Sequence, residues 1–202
     1  GYGLGWGTTE YHGKQMVSHT GGYDGMYSAV TMLPTEKIGV VILTNTMDGI
    51  GTLLSYEIID RLLGLPQQDW KNRGINQDKG HWADRAARIK ERTDARIMGT
   101  KPSMDVVAIS GLYRCPLFGD IRILEENGKL TIDFVHSPQL KARLSHWHND
   151  TYQLEWLEEQ AWFEFGTVQI QMNNSGKPSG LLFDVPNDDI FFEEIKAVRV
   201  TP

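Results

Sequence analysis

The hydrophobic period changes along this chain, and that change constrains the fold more than any other feature. From about residue 105, apolar and polar residues alternate: Leu130, Ile132 and Phe134; Tyr152, Leu154 and Trp156; Val168, Ile170 and Met172; Leu181, Phe183 and Val185. Successive side chains of a strand point to opposite faces, so a period of two marks strands with one buried face. Turn signals separate the runs, at Asn127-Gly128, Asn149-Asp150, Asn174-Ser175-Gly176 and Pro186-Asn187-Asp188. The pattern predicts about eight strands, near 110–115, 119–125, 129–135, 140–147, 151–156, 161–165, 167–173 and 180–185, with 190–199 as a closing strand. Short alternating strands at this spacing point to an antiparallel barrel or sandwich.

The first part of the chain reads differently. Leu4 to Tyr11 is strand-like, His12-Gly13-Lys14 is a tight turn, and Gln15 to His19 pairs back as a hairpin. Tyr27 to Met32 and Ile38 to Leu43 are strands joined through Leu33-Pro34-Thr35-Glu36-Lys37. The run Val40-Val41-Ile42-Leu43 fits a strand covered on both faces. Ile50, Leu54, Ile58 and Leu62 then recur every four residues beside Leu53 and Leu63, as the apolar face of a helix that Gly64 and Pro66 end. Residues 65–81, broken by Pro66, Gly74 and Gly80, read as a connector. Trp82 to Met98 reads as a charged helix with Asp84 and Arg88 as an i,i+4 pair, and Gly99 to Ser103 as a linker. The expected class is α+β, with units at 1–64, 65–104 and 105–202.

Charge supports the division. Residues 1–100 carry 11 basic and 11 acidic residues, whereas 101–202 carry 9 and 15. An acidic second half without a basic patch argues against a nucleic-acid partner. No apolar run approaches the roughly 18–20 residues of a membrane span. Cys115 is the single cysteine, so no disulfide forms within the chain. The first residue is glycine, and the natural N-terminus is expected to lie upstream.

The residues that carry chemistry cluster early. His19-Thr20-Gly21-Gly22 follows the strand-like Gln15-Met16-Val17-Ser18 and precedes Tyr23-Asp24-Gly25 and the apolar run Met26 to Leu33. Tyr2-Gly3-Leu4-Gly5-Trp6 stands upstream. This set resembles the C-terminal part of the beta-lactamase and penicillin-binding-protein serine hydrolases, in their class C and esterase-like branch. There the third active-site motif is Lys-Thr-Gly or His-x-Gly on an edge strand. The second unit, opening on Ser110-Gly111-Leu112-Tyr113, resembles the lipocalin-like β-barrel appended to many such hydrolases.

The resemblance implies an acyl-enzyme mechanism on a small amide or ester. A serine attacks the acyl carbonyl, and preset N–H donors hold the oxyanion. Carried over by position, Gly22 supplies one donor. Gly21 and Gly22 let substrate lie close to the strand. His19 takes the place of the usual lysine on the nucleophile side, and Thr20 points to the opposite face or bonds locally. The family's nucleophile is a serine three residues before a lysine, and no serine here has that spacing. Nor is there a Tyr-x-Asn or Ser-x-Asn for the second motif. The chain is therefore expected to be the tail of a hydrolase, inactive alone, with no cofactor or metal and a bacterial-envelope location in its parent. A half-sheet with free edges also leads to the expectation of a homo-oligomer. The competing reading is a non-catalytic binding or assembly module.

Other candidates read more plainly. His146 and His148, two apart on a strand, are expected on one face without a third metal ligand. His12 belongs to a turn, and His81 and His136 stand alone. The aromatics Trp147, Trp156, Trp162, Phe163, Phe165, Phe183, Phe191 and Phe192 are expected to fill the barrel rather than line a ligand cavity. Glu158-Glu159 and Asp188-Asp189 read as solvated loop charges, and Cys115 as a buried thiol.

Overall fold

A computed structural model describes all residues except Asp24, Thr201 and Pro202. The Asp24 of the turn after His-Thr-Gly-Gly and the last two residues of the 105–202 unit therefore lie outside the described residues. The chain divides into two compact units, Gly1–Asp84 and Arg85–Pro202.

The first unit is a five-stranded antiparallel sheet with helices. Its strands are β1 (Tyr2–Gly3), β2 (Trp6–Tyr11), β3 (Lys14–Tyr23), β4 (Met26–Leu33) and β5 (Ile38–Thr44), paired in sequence order. The predicted strand Leu4 to Tyr11 is interrupted at its start. Leu4 and Gly5 both have positive φ and turn β1 back onto β2.

Helix α1 (Ile50–Leu62) packs on β4 and β5. It is amphipathic, but not with the face that its leucines suggest. Gly51, Ser55 and Ile59 are buried, whereas Leu54, Ile58 and Leu62 are exposed. Small residues let the helix backbone approach the sheet, so the close-packed stripe is the one with little side-chain volume. Met16, Leu33, Val40 and Ile59 form the core beneath it. The other sheet face is open: Val41 and Leu43 are 62% and 78% exposed, so β5 is covered on one face only.

Helix α2 (Trp70–Asp94) begins well before the expected Trp82. Gly74 does not break it. A Cβ at this position would lie 2.5 Å from Leu53 Cδ1, so any larger residue would have to displace the Leu53 side chain where α2 passes α1. Arg88 bonds Asp188 at 2.8 Å rather than serving as a partner of Asp84, and Arg92 holds Asp184 at 2.9 Å. Asp188 is thus tethered, not a free loop charge.

The second unit is a closed barrel of eight antiparallel strands. Its strands are β6 (Gly111–Cys115), β7 (Gly119–Glu126), β8 (Lys129–Phe134), β9 (Lys141–His148), β10 (Thr151–Trp156), β11 (Thr167–Met172), β12 (Pro178–Asp184) and β13 (Ala197–Arg199). Each pairs with its sequence neighbour, and β13 closes on β6. The alternation places the strands almost where the sequence puts them. The exception is 161–165, which forms no strand, although Phe163 and Phe165 are buried. The three residues of β13, within the predicted 190–199 strand, complete the eight instead. Gly180 permits this closure, because a Cβ there would stand 2.8 Å from the Ala197 carbonyl oxygen.

Side chains fill the barrel. Tyr113, Ile121, Ile132, Leu154, Leu181 and Phe192 are all nearly inaccessible, as is the free thiol of Cys115. Met172 is the one member of the alternating set that turns out, 47% exposed. Helix α3 (Val106–Ile109) packs on β7 and buries Ile109 in the barrel core. Its end carbonyls at Ala108 and Ser110 accept hydrogen bonds from Arg199, each 2.8 Å, and that guanidinium lies against the Tyr113 ring.

Candidate functional site

The His19–Gly22 segment occupies the last half of β3. Its pairing partners are Val30, Ala29, Ser28 and Tyr27 on β4. On the other side, β2 pairs with β3 only as far as Ser18. Beyond that point β3 has a free edge among the described residues.

Which backbone groups face that edge follows from two side-chain contacts. Ser28 Oγ donates to the Gly21 carbonyl at 3.3 Å, and Thr44 Oγ1 donates to the Tyr27 carbonyl at 3.0 Å. The first carbonyl thus points toward β4, and the second points from β4 toward β5. Antiparallel pairs alternate between those that exchange backbone hydrogen bonds and those that do not. Gly21 therefore turns its backbone to β4, and Gly22 turns its N–H and C=O to the free edge. A surface cavity of about 480 Å³ lies over the adjoining end of the sheet from β3 to β5, lined in part by Gly21, Gly22, Tyr23, Tyr27, Ser28 and Leu43. A backbone N–H left out of the ladder can stabilise a developing oxyanion.

His19 pairs with Val30, which places it on the sheet face away from α1, whereas Thr20 pairs with the buried Ala29 on the α1 face. The His19 ring has two aromatic neighbours. Tyr2 Oη is 3.0 Å from His19 Nε2, and the Trp6 ring meets the imidazole edge-on at 6.4 Å. The sequence marks Tyr2 and Trp6 as family residues but gives no sign of this contact. It arises because the Leu4-Gly5 turn folds β1 beside β2.

A second polar cluster, which the sequence does not reveal, fixes the base of this unit. The Asp60 carboxylate is only 2% exposed. It accepts hydrogen bonds from Tyr11 Oη and from Trp70 Nε1, the latter at 2.8 Å. Tyr56 stacks on Trp70 with centroids 5.0 Å apart. Burial, then the hydrogen bond to Asp60 and its charge, hold the Tyr11 phenol well above the ordinary tyrosine range. These groups are structural. Their hydrogen-bonding capacity is directed at each other, tying β2, α1 and the start of α2 together.

The histidine pair of the barrel does not share a face. His148 pairs with Thr151 and His146 with Tyr152, so Trp147 is an extra residue in β9. Thr151 and Tyr152 are successive residues on β10 and face opposite ways, as do their partners. The bulge leaves carbonyls outside the ladder, and Arg96 collects them: Nε bonds the Trp147 oxygen at 2.9 Å and Nη2 the His146 oxygen at 3.1 Å. The same guanidinium stacks over Trp147 at 4.4 Å. Among the described residues there is no group of three or more His, Cys, Asp or Glu side chains fit to hold a metal, and no helix is long and apolar enough to cross a membrane.

Two separate stretches of the chain match known families. Residues 1–62, which carry the sheet and α1, match the Beta-lactamase family, and residues 95–199 match the family described as domain of unknown function DUF3471. The unguisins hydrolase ungD of Aspergillus violaceofuscus is 41% identical over 71 residues, and ungD' of Aspergillus campestris is 35% identical over 75. Each alignment covers 34% of this chain but only 12% and 14% of those proteins, so the matched stretch is a small part of their length. Among solved structures, SurE with D-Leu aligns over 99% of this chain and 39% of its own, at 14% identity and a TM-score of 0.37. The octameric penicillin-binding protein homologue from Pyrococcus abyssi aligns over 98% and 37%, at 14% identity and a TM-score of 0.31. The DUF3471 match takes in the whole barrel and more than half of the sequence, and the chain therefore belongs to the DUF3471 family, with a beta-lactamase-related segment preceding its barrel.

Proposed function

We propose that this chain contributes one wall of the active site of a serine hydrolase that cleaves an amide or ester through an acyl-enzyme. The observation that carries the reading is the Gly22 backbone turned to the free edge of β3, in a segment whose Gly21 and Gly22 also line a surface cavity. In this reading Gly22 N–H holds the oxyanion, Gly21 keeps the approach clear, His19 borders the nucleophile and Thr20 supports the strand from its other face. The nucleophilic serine and its lysine come from a longer parent chain, because no serine here precedes a lysine by three residues. The names of the two curated relatives, both hydrolases, support the reaction class.

The test is made on the parent protein. A fluorophosphonate probe is expected to label it and to leave the 202-residue chain unlabelled. Gly22→Pro removes the N–H without removing a rung of the β3–β4 ladder, and is expected to lower kcat by about 10²–10³ with a small change in KM. An unlabelled parent, or full turnover in Gly22→Pro, overturns the assignment.

One observation favours a second reading, a partner-binding module. The sheet face carrying His19 also presents Val41 and Leu43, both largely exposed. On that reading the isolated chain self-associates through this face, and light scattering finds a mass above 22.9 kDa. A single-chain mass at high concentration removes it.

A further inference from the structure

Tyr2 and His19 form a pair whose chemistry can be resolved further. Tyr2 is 71% exposed, yet its hydroxyl lies 3.0 Å from His19 Nε2 rather than being left to water. Two arrangements fit that distance: the phenol donates to a bare Nε2, or a protonated Nε2 donates to the phenol oxygen. Acid strength decides between them. A phenol O–H is a stronger donor than the N–H of a neutral imidazole. The bare imidazole nitrogen is a better acceptor than a phenol oxygen. The stronger donor facing the stronger acceptor gives O–H···Nε2. The neutral ring must then carry its proton on Nδ1, since each tautomer has one N–H. The Trp6 ring stands edge-on to the same imidazole.

We propose that Tyr2 is a positioning residue that locks neutral His19 in the Nδ1–H tautomer and thereby makes it a fixed hydrogen-bond donor. Among the described residues Nδ1 has no hydrogen-bond partner, so this donor is available to a group outside them. The inference rests on the proposed function for its purpose. Where the family has lysine, a donor at every physiological pH, a lone imidazole divides between two tautomers and offers Nδ1–H only part of the time. The phenol removes that division. His19 then supplies a directed N–H without a full charge, on the same β3 segment as the Gly22 N–H.

The lock is tested on the 202-residue chain itself, independently of any activity. With ¹⁵N-labelled histidine, long-range nitrogen–proton spectra at pH 8.5 distinguish the tautomers, and His19→Gln identifies the His19 signals. The expected result is a protonated Nδ1 and a bare Nε2 in the native chain. Tyr2→Phe, an exposed isosteric change, is expected to shift the ratio toward Nε2–H with the backbone amide spectrum otherwise preserved. A native His19 already in the Nε2–H form, or a ratio unaltered in Tyr2→Phe, overturns the proposal. The parent protein then separates this lock from its purpose. Tyr2→Phe is expected to lower kcat there by about tenfold, less than His19→Gln does. If the lock is present and neither variant slows turnover, the lock stands and the catalytic reading of His19 falls.

Discussion

The two units are both built of antiparallel strands joined mainly by short turns, but they treat their surfaces in opposite ways. The barrel pairs every strand on both sides and turns one face wholly inward, so it ends with no free edge and a filled interior. The five-stranded sheet covers one face with α1, leaves Val41 and Leu43 open on the other, and leaves one edge of β3 unpaired past Ser18. Closure consumes the hydrogen-bonding and apolar surface that binding needs. The incomplete sheet retains both, and its candidate reactive groups lie where the pairing stops.

This contrast predicts an order of sensitivities. Phe192 meets Phe134, Phe163, Phe183 and Trp156 in the barrel interior, at centroid distances of 5.0–6.3 Å. Phe192→Ala is expected to destabilise the barrel by about 3–5 kcal/mol in urea unfolding; a cost below about 1 kcal/mol would mean that the interior is not close-packed. In the first unit, Asp60→Ala orphans the Tyr11 and Trp70 donors and should cost about 3 kcal/mol, read from near-ultraviolet circular dichroism of that aromatic cluster during melting. A negligible effect would remove the buried carboxylate as its anchor. Arg96→Met keeps much of the side-chain volume but loses both carbonyl contacts at the bulge, an expected loss of about 1–2 kcal/mol with altered His146 and His148 resonances. Unmoved histidine signals would show that the bulge holds without Arg96. The smallest effects belong to the open face. Val41→Thr and Leu43→Thr should each stay within about 0.5 kcal/mol of the parent chain in thermal melts, because neither residue is buried. Losses comparable to that of Phe192→Ala would erase the contrast between the units.

Much of the barrel is legible from its sequence, because a strand buried on one face writes its period directly into the residues. What escapes is set by distant partners. The 161–165 segment has the aromatic content of a strand, but Phe163 and Phe165 bury their rings from a loop. The α1 helix repeats every four residues as expected, yet the leucine stripe faces out and the Gly51–Ser55–Ile59 stripe faces in, since close approach to a sheet favours small residues. Gly74 and Gly80 resemble breaks in the sequence, but both lie within α2, and Gly74 gives the Leu53 side chain its room. His146 and His148 would share a face in a regular strand; one inserted residue, stabilised by an arginine some fifty positions earlier, separates them. At the candidate site, the residue types are visible as a motif, but the free edge that gives Gly22 its direction depends on where β2 stops.

The seam between β13 and β6 has a consequence in time. Val198 pairs with Arg114 and Arg199 with Tyr113, so the barrel's last rungs join strands separated by more than eighty residues. Such distant pairing is slow, because the intervening chain must be ordered before the contact rewards it. During synthesis, β6 through β12 emerge first and wait as an open seven-stranded sheet with two adhesive borders. A proteolytic clip or premature stop just before Ala197 would make that waiting state permanent, and the shortest barrel strand would become the one whose loss leaves two edges open to aggregation.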